Sequence, residues 1–187
     1  MIKAIITDFD GTLVDTFEAN FRAYQKAFNE CGMNLTAEKY CECFGLRYDA
    51  FMSRMAISDD KTANLIKELK KDYYPKFFKY LVPNKTLIDI IDTFHNMGGS
   101  TAIASTARKE NLLNVVDYFH LDKYFDIIYA GIDVQKGKPD PEIYNKAMEA
   151  LSVSPVETLI FEDSDTGVAA ALASGAKYIR VTNEWFK

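Results

Sequence analysis

Apolar positions along this chain follow two periods. From Met1 to Thr7 they are nearly continuous, as in a strand that ends buried, and short apolar runs recur at 101–105, 127–130, 158–162 and 178–182. Between them, apolar residues recur at helical spacing over 85–97, where Gly98-Gly99 supplies a stop, and over 109–118, 141–151 and 165–174. Helices alternating with short apolar strands predict a parallel sheet covered on both faces. The expected fold is α/β, a doubly wound, Rossmann-like parallel sheet.

The first strand breaks this alternation, because the long segment after it is helical throughout. Phe17, Phe21, Tyr24, Phe28 and Cys31 repeat at helical spacing up to a stop at Gly32. Further helices fit Thr36 to Phe44, Tyr48 to Met55 and Lys61 to Tyr74. The last carries Leu65, Leu69 and Tyr73 on one stripe until Pro75 breaks or kinks it. A turn at Val82-Pro83-Asn84 closes the excursion. The expected organisation is a catalytic core of 1–15 and 83–187 with a small inserted helical domain at 16–82.

At 187 residues, with 48% hydrophobic and 13% aromatic content, the chain can bury one sizeable core, or one plus a small insert. A formal charge of -5 argues against nucleic acid or an anionic membrane as the main partner. Lys67, Lys70, Lys71, Lys76 and Lys79, set among Tyr73, Tyr74, Phe77 and Phe78, therefore read as a solvated helical face over an aromatic core. No apolar run approaches ~18 residues and no charged leader precedes the first strand, so a cytoplasmic location is expected. Cys31, Cys41 and Cys43 are an odd number without a second metal-binding pair, and read as free thiols.

The polar groups of interest stand where strands end, which is where parallel sheets bind ligands. Asp8 and Asp10 come directly after the first strand, and side chains two apart on extended backbone point the same way. Gly11 lets the chain turn close to a ligand. A calcium loop is excluded, since Phe9, Leu13 and Val14 crowd the segment and the twelfth position, Ala19, is not acidic. Ser105 and Thr106 end the second core strand, Lys138 lies beyond the third, and Glu162 and Asp163 end the fourth. Lys138 lies at the positive end of the helix opened by Pro139-Asp140-Pro141, where the dipole gives a cation no support, so anion binding explains it better.

Asp8-Phe9-Asp10-Gly11-Thr12, Ser105, Lys138-Pro139-Asp140-Pro141 and Glu162-Asp163-Ser164-Asp165-Thr166-Gly167, in that order, resemble the motifs of the haloacid dehalogenase superfamily. The likeness covers essentially the whole chain. It is greatest to the subgroup of β-phosphoglucomutases and small phosphosugar phosphatases, whose helical cap is inserted after the first motif. The resemblance implies a phosphatase acting through an aspartyl-phosphate on Asp8, with Asp10 as general acid and base. Asp8 and Asp163 can supply hard oxygen ligands to Mg²⁺. By resemblance the Asp10 backbone carbonyl is a third ligand and Glu162 a neighbouring carboxylate that orients the metal site. Ser105, the Thr106 and Ala107 amides and Lys138 would hold the phosphate. Asp165 is the expected cap of the helix after Asp163. The dehalogenase branch typically lacks the acid at position 10, which favours phosphoryl transfer here.

Arg47 matches a cap position that meets substrate in related sugar-phosphate enzymes. Position 20 is Asn20, where the mutases of the subgroup carry a histidine. The expected function is Mg²⁺-dependent hydrolysis of small phosphorylated metabolites, with the cap rocking to admit substrate. A phosphomutase is the nearer alternative. A phospho-aspartate receiver module is the alternative of another class, but there the acidic pair and the phosphorylated Asp sit on different strands and no cap is inserted. A monomer or weak homodimer is expected.

Overall fold

The computed structural model describes residues 1–187. The chain opens with β1 (Ala4–Thr7) and the two-residue β2 (Val14–Asp15), then α1 (Phe17–Glu30), α2 (Ala37–Cys41), α3 (Tyr48–Arg54), α4 (Asp60–Tyr73) and a 3-10 segment, Tyr74–Tyr80. It continues through β3 (Val82–Pro83), α5 (Lys85–Asn96), β4 (Ser100–Ala104), α6 (Lys109–Tyr118), β5 (Ile127–Tyr129), α7 (Glu142–Ala150), β6 (Thr158–Glu162), α8 (Asp165–Ala173) and β7 (Lys177–Arg180).

The five longer strands form one parallel sheet in the order β5-β4-β1-β6-β7. β1 is central, with Ile6 registered against Ala102 on one side and Ile160 on the other. From β1 the chain builds outward through β4 and β5, then crosses to β6 and β7, so the crevice where connections diverge lies at the carboxyl ends of β1, β4 and β6. Alternation along each strand sends Ile6, Ala102, Ala104 and Ile160 to one face, against Ile143, Tyr144, Ala147 and Met148 of α7 and Ala170 and Ala171 of α8. The doubly wound α/β fold expected from the pattern is the fold observed.

The chain divides into two compact units, Met1–Asp15 with Val82–Lys187, and Thr16–Leu81. The second is all helical, and its core gathers Phe28, Leu35, Tyr40, Phe51, Met52 and Ile66, flanked by Phe17, Phe21 and Tyr24. Tyr40 packs against Phe17, Phe21, Tyr24, Phe44 and Phe51 at ring separations of 5.4 to 5.9 Å.

The structure corrects two expectations. On α4 Leu69 and Tyr73 pack against the core, but Leu65 is 49% exposed and the fully buried Ile66 takes its place. As expected, the α-helix ends ahead of Pro75, at Tyr73, and the chain goes on as a 3-10 segment with Pro75 in its first turn, where a missing N–H has no partner to serve. The segment at 82–83 is not simply a turn: β3 pairs antiparallel with β2, Val14 opposite Pro83 and Asp15 opposite Val82.

Candidate active site

Asp8 extends β1 by one residue, its N–H donating to the Phe161 carbonyl at 2.9 Å. The chain then folds onto itself. The Leu13 and Val14 amides each donate to the Phe9 carbonyl at 3.0 Å, and the Gly11 amide donates to Val14 at 2.8 Å. Gly11 has φ of +86°, and a Cβ there would stand 2.4 Å from Asp163 Oδ2, so only glycine lets this turn touch Asp163. Asp10, on the turn, bridges to Val14.

Lys138 reaches the tip of β1 from the loop after β5, with a cis bond to Pro139. Its Nζ donates to Asp8 Oδ1 at 2.5 Å and to Glu162 Oε1 at 2.6 Å, and the lysine side chain is 5% exposed. Tyr144, fully buried on α7, donates its hydroxyl to the same Glu162 oxygen at 3.2 Å and turns its ring toward the ammonium at 4.9 Å. The other Glu162 oxygen accepts from the Ser164 amide at 2.9 Å and the Ser164 hydroxyl at 3.1 Å. A Cβ at position 167 would lie 1.8 Å from Glu162 Oε1, so Gly167 leaves the space this carboxylate fills.

Asp163 is fixed differently. Its Oδ1 accepts from the Thr12 hydroxyl at 2.9 Å. The Thr12 carbonyl in turn accepts from the buried Asn84 side chain at 3.0 Å, while Asn84 Oδ1 caps α5 by accepting from the Leu87 amide at 3.1 Å. Asn84 thus ties the Asp8–Thr12 turn to the start of α5.

The carboxylate oxygens of Asp8, Glu162 and Asp163 gather within 4.8 Å of one another. Asp10 is not in that set. One ammonium faces three carboxylates. Burial, then the Glu162 charge, pushes the Asp163 carboxyl up to about 6. Burial raises the Asp8 carboxyl, with Lys138 pulling against it and Glu162 and Asp163 adding to it. For Lys138, burial opposes the charge, but Asp8 and Glu162 outweigh it and hold the ammonium protonated.

This donor set fits a hard divalent cation: hard oxygens in excess of the available positive charge. Asp8 and Asp163 would hold it. Glu162 already accepts four hydrogen bonds on its two oxygens and is better placed to orient Lys138 than to ligate.

Ser105 is buried at the tip of β4, its N–H bonded to the Tyr129 carbonyl at 3.0 Å. Its Oγ accepts from the Ala107 amide at 3.0 Å. In this structure the Ala107 amide thus closes a local turn on Ser105. Thr106 shares that turn. Arg47 precedes α3 in the helical unit and is exposed. The helix after Asp163 is capped by Ser164, whose Oγ accepts from Gly167 N–H at 3.0 Å, not by Asp165, which pairs with Arg180 at 2.7 Å. Asp140 still serves α7, accepting from the Glu142 amide at 3.0 Å, one residue ahead of the expected helix start.

Sequence reasoning gave no role to Tyr144, Gly167, Thr12 or Asn84. Asn84 had a readable signal, an Asn directly before a helical run. Thr12 and Gly167 stand inside the recognised motifs without a role of their own, and Tyr144 had no signal, because its contact joins separate elements.

A doubly wound sheet that gathers three carboxylates and a buried lysine at the tips of its central strands defines an α/β enzyme working on an anion there. The family model for haloacid dehalogenase-like hydrolases matches residues 5–181, and the chain belongs to that family. It is an enzyme of the family's phosphatase kind. A phosphorylated carbohydrates phosphatase of Thermotoga maritima is 30% identical over 182 residues, covering 95% of this chain and 84% of the relative. The crystal structure of a variant of CbbY from Rhodobacter sphaeroides in complex with xylulose-(1,5)bisphosphate superposes with a TM-score of 0.86 at 26% identity, covering 100% of this chain and 89% of that one. The fold is also that of a β-phosphoglucomutase from Clostridium difficile, with a TM-score of 0.83 at 20% identity, covering 100% of this chain and 87% of that one. No helix is long and apolar enough to cross a membrane.

Proposed function

We propose that this chain hydrolyses small phosphate monoesters, sugar phosphates foremost, through an aspartyl-phosphate on Asp8. The observation that carries the reading is Lys138, buried and held between Asp8 and Glu162 at the tip of β1. A monoester dianion brought to that tip would meet this ammonium and the Ser105 hydroxyl. Asp8 would then attack phosphorus as the bond to the leaving alkoxide breaks, and Asp10 would give that alkoxide its proton. In the second half, Asp10 takes a proton from water as the water oxygen attacks the phosphoryl group, which frees Asp8 and releases inorganic phosphate. Glu162 keeps Lys138 aimed. Mg²⁺ on Asp8 and Asp163 would neutralise charge on the transferring group.

The substrate class is supported by the phosphorylated carbohydrates phosphatase among the relatives and by the sugar bisphosphate bound to CbbY. Arg47 and Thr106 are assigned to substrate binding. The test is phosphate release across a panel of phosphorylated metabolites, with Mg²⁺ and with excess chelator, and then mass spectrometry of the quenched enzyme. Mg²⁺-dependent release and phosphate on Asp8 are expected. Undiminished turnover in chelator, or label on a serine or histidine, overturns the reading.

A further inference from the structure

Away from the carboxylate cluster, one acidic side chain joins the two segments that would hold the phosphate. Asp133 ends a 3-10 turn, Gly131–Asp133, five residues ahead of Lys138. Both of its carboxylate oxygens accept from Lys109 Nζ, at 3.0 and 3.1 Å, and Oδ2 also accepts from the Ala130 amide at 2.9 Å. The Asp133 carbonyl accepts from Lys146 Nζ of α7 at 2.5 Å. Lys109 is the first residue of α6, directly after the Ser105–Arg108 loop.

Backbone contacts run beside this ion pair. The Gly131 amide donates to the Ala107 carbonyl at 3.0 Å, and a Cβ at 131 would come within 2.6 Å of the Thr106 carbonyl. The loop after β4 and the turn after β5 are thus packed backbone to backbone, with Asp133 and Lys109 closing the open side. With Lys109 45% and Asp133 19% exposed, such a pair adds little to stability. What it joins is the start of α6, just after the strand end that presents Ser105, and the segment that leads to Lys138.

We infer that Asp133, through Lys109, is a positioning residue that holds the Ser105–Thr106 loop at the separation from Lys138 that a phosphoryl group requires. The inference rests on the reading of Ser105 and Lys138 as phosphate ligands. A direct role for Lys109 in binding the anion is the competing account, and the two differ in what Asp133 does. If Lys109 touched the substrate, removing the Asp133 charge would free the ammonium and leave affinity unchanged or improved. If the pair is a strut, removing either end does the same damage.

The experiment measures inorganic phosphate as a competitive product inhibitor of Mg²⁺-dependent turnover, together with kcat, KM and Tm, in the wild type, Lys109→Met, Asp133→Asn and the double variant. Asp133→Asn keeps an oxygen for the Ala130 amide, so the fold is retained. Each single variant is expected to raise the inhibition constant by roughly 10- to 100-fold, the scale of a displacement of about an ångström. The double variant is expected to be no worse than either single one, because both remove one contact. Lys109→Arg restores most of the affinity. Tm stays within a few degrees throughout. An Asp133→Asn variant that binds phosphate as the wild type does overturns the inference, as do additive effects in the double variant. Failure of phosphate to inhibit the wild type overturns the reading of the site, and the strut with it.

Discussion

Lys138 is the residue on which the rest of the site depends. A buried ammonium needs a carboxylate partner, and leaving it with none costs about 3–5 kcal/mol, but Lys138 has two, Asp8 and Glu162. Three carboxylates against one lysine still leave the cluster over-supplied with negative charge. Asp8→Asn is therefore expected to abolish turnover while leaving Tm, measured in chelator near neutral pH, equal or higher, because it removes a buried charge and leaves Lys138 paired with Glu162. A fall of several degrees would show that Lys138 needs Asp8 more than the crowding costs. Asp163 gives a pH-dependent version of the same argument. Its carboxyl sits at about 6 in the folded chain against an ordinary 3.8. Between those values the folded chain keeps a proton that the unfolded chain has released, so stability falls as pH rises across the window and levels above it. Relative to Asp163→Asn in chelator, the wild type is expected to lose Tm between about pH 4 and about pH 6. Mg²⁺ should close the gap above that window, since a cation binds the ionised form. A gap that stays constant with pH in chelator would contradict the raised pKa.

At the scale of elements, the site is a set of strand ends whose loops are held by caps. Asn84 does two things at once, capping α5 and bonding the carbonyl of Thr12, whose hydroxyl holds Asp163. Asn84→Ala removes a cap, about 1 kcal/mol, and strands a buried carbonyl, a further ~1–3 kcal/mol. The expected result is a lower urea midpoint with unchanged m, together with weaker Mg²⁺ activation because Thr12 no longer steadies Asp163. Full Mg²⁺ affinity in a destabilised variant would limit Asn84 to capping. These elements also show what a sequence can and cannot reveal. Strands ending at Thr7, Ala104 and Glu162 were legible because continuous apolar runs have few other outcomes, and the strand-end acids and Lys138 were legible because their types have little reason to sit there otherwise. The ribbon of β2 and β3 was not, since two residues carry no period. The first residue of the α4 stripe was misplaced because Leu65 and Ile66 are adjacent and equally apolar, and only packing chooses between them. Ser164 displaced Asp165 as the cap because two neighbouring residues could each fill that position. Tyr144 acts on Glu162 from another element, and no local pattern records such a contact.

At the scale of the whole molecule, substrate choice is assigned to the helical unit and chemistry to the α/β unit, and each assignment carries its own test. Arg47→Ala is expected to change discrimination among monoesters mainly through KM, because a cation meeting the non-reacting part of a substrate contributes largely uniform binding. An equal loss of kcat on every substrate would remove Arg47 from that role. The sharper question is whether water or a sugar hydroxyl accepts the phosphoryl group. A mutase must protect its aspartyl-phosphate from water until a sugar arrives, which calls for coupling the movement of the inserted unit to activation of Asp10. The related mutases place a histidine where this chain has Asn20, half-buried on α1. An amide cannot relay a proton at neutral pH. Water should then be the main acceptor, with inorganic phosphate appearing in step with substrate loss. Incubating the enzyme with β-glucose 1-phosphate, Mg²⁺ and a trace of the bisphosphate, and measuring both products over time, decides the matter. Inorganic phosphate is expected to dominate. Glucose 6-phosphate forming much faster would make this chain a mutase despite Asn20, and Asn20→His would then be expected to change little.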